Sequence, residues 1–330
     1  MAGVKFLRHI QIGKESSLGT AVAATTKWRG NGAIEDNIDL RFVNEDVGYI
    51  GGVDRTYIAG YESTLAMDET ECTFEQLPYI LMAGVKTVTP TQDGAGTGYI
   101  SAFTFPTTAQ NSISSYTIEQ GDDQQEEEFP GAYVESFKLS GRAGGPLMMS
   151  AVWKGRQTTP STFTGSLSYP TVEEVLFGKG TIAIDAVGGT LGATTKSNTL
   201  LGFEMNVKTG WTGVRTADAL WPSFLKCVRP EAPISITFEH DGTATAEKVN
   251  WRAQTPVKMR LKWIGTALTT PGTYTYKTLM IDAAGKWQKF EKLGEQDGND
   301  IVTGVFLPRY NSTAALFCNI TIVNQVSALP

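Results

Sequence analysis

The segment HIQIGKESSLGTA at residues 9–21 returns in pattern as TIAIDAVGGTLGA at 181–193, 172 positions later in a chain of 330. An alternating strand running into a glycine turn, written twice at half the chain length, limits the fold to arrangements that hold one unit two times. Ile10 and Ile12 fall on Ile182 and Ile184, and Leu18-Gly19 meets Leu191-Gly192 after one inserted residue. Further along, 61–84 lies over 233–256, each an alternating strand, an acidic turn and a helical stretch closed by Gly84 or Pro256. The same order then sets 99–106 against 257–265, 115–122 against 276–285, 133–141 against 301–309, and 147–155 near 315–323. Two tandem units are expected, 1–160 and 170–330. The boundary falls in the Thr-, Ser-, Gly- and Pro-rich segment 155–174.

The remaining composition bears on what such units are made of. With 35 glycines and 14 prolines between short runs of Val, Ile, Thr and aromatics, the expected class is mainly β. Each unit is read as a β-sandwich or split barrel with one short α-helix and one long loop. A net charge of −6 with 19% charged residues supplies no basic face for gripping phosphates. Cys72, Cys227 and Cys318 are far apart and odd in number, so neither a disulfide framework nor a zinc knuckle is indicated. No run approaches the roughly 18 apolar residues of a membrane span, and the N-terminus has no signal-like apolar region, so a product made in the cytoplasm is expected.

Two features stand out as candidate contact sites. The long segments 43–60 and 211–230 each follow the second strand of their unit and carry Tyr49, Ile50, Asp54, Arg55 and Tyr57, and Trp211, Arg215, Leu220, Trp221 and Phe224. Loops of that length with apolar side chains usually meet a partner. Within 120–130 the acids Asp122, Asp123, Glu126, Glu127 and Glu128 crowd together, either as a solvated turn or as a repelling surface.

Enzyme readings find little to work with. His9 and His240 are the only histidines, one in an alternating strand and one in a turn. The glycines of 93–98 lack the Lys-Ser/Thr ending of a phosphate loop. Asp54, Glu69 and Asp241 do not follow a metal-loop spacing. No catalytic, cofactor or metal residue is therefore assigned. The alternative from another class is a carbohydrate- or surface-binding β-sandwich with Trp211, Trp221 and Trp251 as its platform.

The opening IQIGKESSLGTAVAATTKWRGNG, the order strand, long loop, strand and helix, and the later VESFKLSGRAGGPLMMSAVWKG resemble the tail tube proteins of long, flexible-tailed bacteriophages. The resemblance covers most of the chain but carries no catalytic motif. It implies a virion protein whose rings stack into a tube for genomic DNA, which passes without specific binding, and it implies contacts with a tape measure protein and a tail terminator. In that family the long loop typically reaches the adjacent ring, which gives the residues named in 43–60 and 211–230 a ring-stacking role and the acids at 122–128 a lumen or ring-joint role. A tandem chain implies three copies in a ring with a pseudo-six-fold outline, the alternative being a hexamer.

Overall fold

The computed structural model describes residues 4–329. The protein is mainly β, 50% strand and 8% helical with two helices. In chain order the first part contains β1 (His9–Lys14), β2 (Thr26–Trp28), β3 (Gly32–Phe42), β4 (Thr56–Glu71), α1 (Leu77–Gly84), β5 (Thr91–Gln92), β6 (Tyr99–Thr104), β7 (Tyr116–Gly121), β8 (Glu126–Arg142), β9 (Met148–Gly155) and β10 (Thr159–Pro160). The second contains β11 (Gly180–Ala186), β12 (Thr195–Lys196), β13 (Leu200–Lys208), β14 (Trp211–Val214), β15 (Phe224–Cys227), β16 (Ile234–Glu239), α2 (Gly242–Arg252), β17 (Val257–Ala267), β18 (Tyr276–Phe290), β19 (Gly294–Gln296), β20 (Asn299–Pro308) and β21 (Cys318–Asn324).

Two pairing circuits run in the same order. The first joins β2 to β1, then β7, β8, β9, β4 and β3. The second joins β12 to β11, then β17, β18, β20, β16 and β13. Equivalent positions therefore differ from the sequence expectation beyond the first helix: β7 answers to β17, β8 to β18 and β9 to β20, while β6 has no counterpart in the second circuit. The expected match of 133–141 with 301–309 fails because β8 and β20 are different members of the circuit, although both alternate.

Alternation explains why these segments are strands with one wet face. In β9 Met149, Ala151 and Trp153 are buried between half-exposed neighbours, and β16 does the same with Ile234, Ile236 and Phe238. Long strands β8 and β18 each carry a bulge, between Val134 and Ser136 and between Trp287 and Lys289. Trp28, Tyr79, Tyr116 and Trp153 meet edge-on inside the first sandwich, and Phe238, Trp287 and Phe306 inside the second.

The segment 155–174 is not a free linker. Phe163 stacks on His9, Thr164 bonds Glu119, and the Glu173 carbonyl accepts from Phe74 N at 3.1 Å. Strand pairing also crosses it. β13 lies on β8, and β21 lies on β6. As a result β3, β4, β9, β8, β13, β16, β20 and β18 form one continuous antiparallel sheet of eight strands. Helix α1, apolar all round and fully buried, sits beneath the crossing, where a Cβ on Gly84 would stand 2.9 Å from Thr209 and 3.1 Å from Val134. Helix α2, started by the Asp241 carboxylate on Ala244 N at 2.9 Å, is mostly exposed, with Ala244 and Glu247 its buried residues.

Candidate assembly surfaces

The eight-stranded sheet turns its apolar side to the core, which leaves the other side to solvent. That outer side is Ser-, Thr- and Glu-rich: Thr64, Ser150, Ser140, Ser235, Thr237 and Thr303 alternate with buried neighbours. Its two central lysines are each held between two carboxylates. Lys154 Nζ lies 3.2 Å from Glu62 and 3.0 Å from Glu135, and Lys138 Nζ lies 3.7 Å from Glu69 and 3.3 Å from Glu204. The carboxylates beside it hold Lys154 above its ordinary range, outweighing the desolvation that works the other way. The Glu204 carboxyl is held down by the Asn206 amide and by Lys138. Around these two lysines stand four carboxylates, with Arg215 3.9 Å from Glu62 and Lys208 exposed beside them.

Residues 43–55 connect β3 to β4, and strand β4 begins at Thr56, so Tyr57 is a strand residue and not part of a loop. The hairpin is an exposed arm: Phe42 is 69% and Tyr49 73% accessible, and Ile50, Asp54, Arg55 and Tyr57 are exposed as well. Within it Val43 N donates to the Arg55 carbonyl at 3.0 Å, and Arg55 pairs with Glu45 at 3.2 Å.

The second segment is ordered differently. Residues 211–227 form the hairpin β14–β15, and Gly210, at φ +79°, turns it away from β13. It folds back onto the first unit: Tyr61 N donates to the Leu220 carbonyl at 2.9 Å, and Arg215 reaches the Tyr61 carbonyl at 3.2 Å. Trp211 is buried, which removes it from the candidate contact residues. Trp221 lies half-buried under the Arg156 guanidinium, 5.9 Å from ring centre to cation, while Phe224 is exposed. Trp251 spends its indole N–H on the Gln288 carbonyl at 3.1 Å. Trp211, Trp221 and Trp251 therefore form no open sugar platform.

The acidic run splits in two. Asp122 and Asp123 are in the β7–β8 turn, where Asp122 accepts from Gln124 N at 2.9 Å and Gln125 N at 3.3 Å, contacts that hold its carboxyl low. Glu126, Glu127 and Glu128 are strand residues of β8, flanked by β7 on one edge, with β10 beside Glu127 and Glu128 on the other. Glu126 accepts from Phe163 N at 2.7 Å, a structural bond that a turn assignment misses. The run is thus neither a uniform solvated turn nor a single charged patch.

Among the groups weighed for chemistry, His9 is stacked 3.7 Å from Phe163, and His240 is exposed with its backbone N on the Asp300 carbonyl. Burial pushes the thiols of Cys72 and Cys318 well up, which keeps them neutral. Among the described residues no three His, Cys, Asp or Glu side chains stand close enough to hold a metal ion, and no helix is long and apolar enough to cross a membrane. In comparisons with known proteins, no protein-family model matches the chain and no curated protein matches it.

Proposed function

We propose that the protein is a structural virion component of the tail tube type, polymerising as stacked rings into a conduit for DNA. The observation that carries this reading is the β8–β13 pairing, which joins two similarly wired units into one antiparallel sheet with strand edges left over at both ends. A unit that already joins its like through a sheet edge is built to be repeated around a ring, where each edge finds a partner. The resemblance of the sequence to tail tube proteins supplies the biological setting.

In this reading the outer face of the eight-stranded sheet lines the bore. On such a wall Lys154 and Lys138 are each shared between two glutamates, which blunts their pull on passing phosphates, while Lys208 and Arg142 stand exposed on the same face. The exposed β3–β4 arm, with Tyr49 and Ile50 at its tip, is the ring-stacking element. Tape measure and terminator proteins would meet the tube at its bore and its end. Negative-stain microscopy of the purified protein tests the proposal: rings or long tubes are expected, and a compact monomer at every concentration would overturn it.

A further inference from the structure

The two ends of the eight-stranded sheet match each other through the junction already inside the chain. There β13 lies antiparallel on β8, from Lys208 opposite Ser136 to Gly202 opposite Arg142. Strand β18 repeats β8. Its bulge on β20 between Trp287 and Lys289 copies the bulge on β9 between Val134 and Ser136, and Arg309 N bonds the Ala284 carbonyl much as Arg156 N bonds that of Pro130. Superposing Ser136 on Lys289 puts the site that β13 fills on β8 along the edge that runs from Lys289 to Gly294.

Among the described residues no strand fills that second site. β17 leaves β18 at Gly285, and the Gln288 carbonyl takes the Trp251 indole where the Glu135 carbonyl takes Thr209. At the far end of the sheet β3 is the counterpart of β13, since Ile34 faces Leu65 as Met205 faces Ile234. Among the described residues β3 pairs with β4 alone. Its other edge is touched by the Gln120 amide through long contacts, 3.4 Å to Ile34 N and 3.5 Å to the Gly32 carbonyl.

We propose that the β3 edge of one copy adds antiparallel to the β18–β19 edge of a second copy, repeating the β13–β8 junction between chains. This deepens the tube reading and rests on it, with a second copy of this chain as the partner. Equivalence fixes the register, with Asn37 opposite Lys289 and Ile34 opposite Lys292. On one face Lys289, which holds Glu291 at 3.0 Å, then lies diagonal to Glu35 and Asp39, and Glu291 falls opposite Glu35, so the lysine stands among the facing carboxylates; on the other face Lys292 lies diagonal to Asp36. Glu35, Asp36, Lys289 and Lys292 are all exposed in the single chain.

The apolar arm supports the same junction. Leu40 pairs with Ile58 as Trp211 pairs with Cys227. Trp211 is buried and Cys227 half-buried at the junction inside the chain, whereas Leu40 and Ile58 are exposed. Arg309 is exposed where its counterpart Arg156 carries Trp221 and reaches the Pro222 carbonyl at 3.2 Å. Each group that is covered on one side of the repeat is bare on the other.

Disulfide trapping in the full chain tests the register. Opposed strand residues lie at Cα separations a disulfide can span. The pair Asn37→Cys with Lys289→Cys, oxidised mildly, should give a ladder of covalent multimers on a non-reducing gel, and either single change should not. Charge reversal gives a second readout: Lys289→Glu with Lys292→Glu should raise the concentration needed for assembly by about tenfold or more, and adding Glu35→Lys with Asp36→Lys should restore it. Wild-type tubes without a ladder, or reversal variants that assemble normally, overturn this junction and leave the tube reading standing. A chain that stays monomeric and yields no ladder overturns both.

Discussion

Glu15 shows how much a single carboxylate can organise. It is buried yet accepts from Gly19 N at 2.8 Å, Gly131 N at 2.7 Å, Ser115 Oγ at 2.7 Å and Thr117 Oγ1 at 2.9 Å, so it ties the β1 turn to β7 and β8. Glu15→Ala would strand two backbone N–H groups, and a loss of about 1–3 kcal/mol in urea unfolding is expected. Lys277 plays a similar part at the contact between the units: its Nζ lies 2.7 Å from Glu75 and 3.1 Å from Glu173, all three largely buried. For Glu173, burial pushes the carboxyl up, but the bonds from Thr266 and Lys277 prevail and hold it below its ordinary 4.5. For Lys277, burial pulls the ammonium down, but the two carboxylates prevail and hold it above 10.5. The carboxylate's contribution is present above its unfolded value and lost as pH falls through the lower folded one. The ammonium's is present below its unfolded value and lost as pH rises through the higher folded one. The stability gap between wild type and Lys277→Met should therefore be widest near neutrality and close in both acid and strong alkali, which chemical denaturation across pH would measure.

At the scale of elements, the β3–β4 arm is the part most separable from the core. Its tip residues contribute exposed surface, and Gly48, Gly51 and Gly52 have open space where a Cβ would stand. Replacing Asp46–Asp54 by a short Gly-Ser linker should leave the free energy of unfolding within about 0.5 kcal/mol of wild type, while tube growth fails; normal tubes from a folded variant would remove the stacking role. Sequence reading reached this arm because Tyr49, Ile50 and Tyr57 are apolar residues among turn formers. It read β1, β11 and the two helices for a related reason, since each carries its own local period. It missed the β14–β15 hairpin because what buries Trp211 is contact with the first unit, far away in sequence. It also misassigned Glu126–Glu128, whose backbone order comes from β7 and β10 and not from the local run of charge. The correspondence of β8 with β18 was hidden for the same reason: two-residue alternation is common to every strand here, and only the bulge positions, which pairing reveals, identify which strand is which.

Taken whole, the chain holds one junction and, on the pairing proposed above, the two halves of another, which would set the symmetry of a closed assembly. A ring of six units would be built from three chains, with three β8–β13 junctions inside chains alternating with three between them. The two kinds differ in chemistry. The internal junction buries Trp211 and is tethered by the chain, at an effective concentration no dilution lowers. The external one would be untethered and would add to its strand pairing and to Leu40 and Ile58 the exposed charges of Glu35, Asp36, Lys289 and Lys292, which salt screens over about 10 Å at 0.1 M. Raising ionic strength should therefore disassemble rings into folded single chains before it disturbs the fold, so that light scattering falls while near-ultraviolet circular dichroism holds steady. A reconstruction of the tubes should show true three-fold symmetry with a pseudo-six-fold outline and, with three chains of eight strands each, a wall of about 24 strands around the bore. Six chains per ring, with one unit of each outside the wall, would break the equivalence between the two junctions and with it the argument that the interior pairing is the pattern for the exterior one.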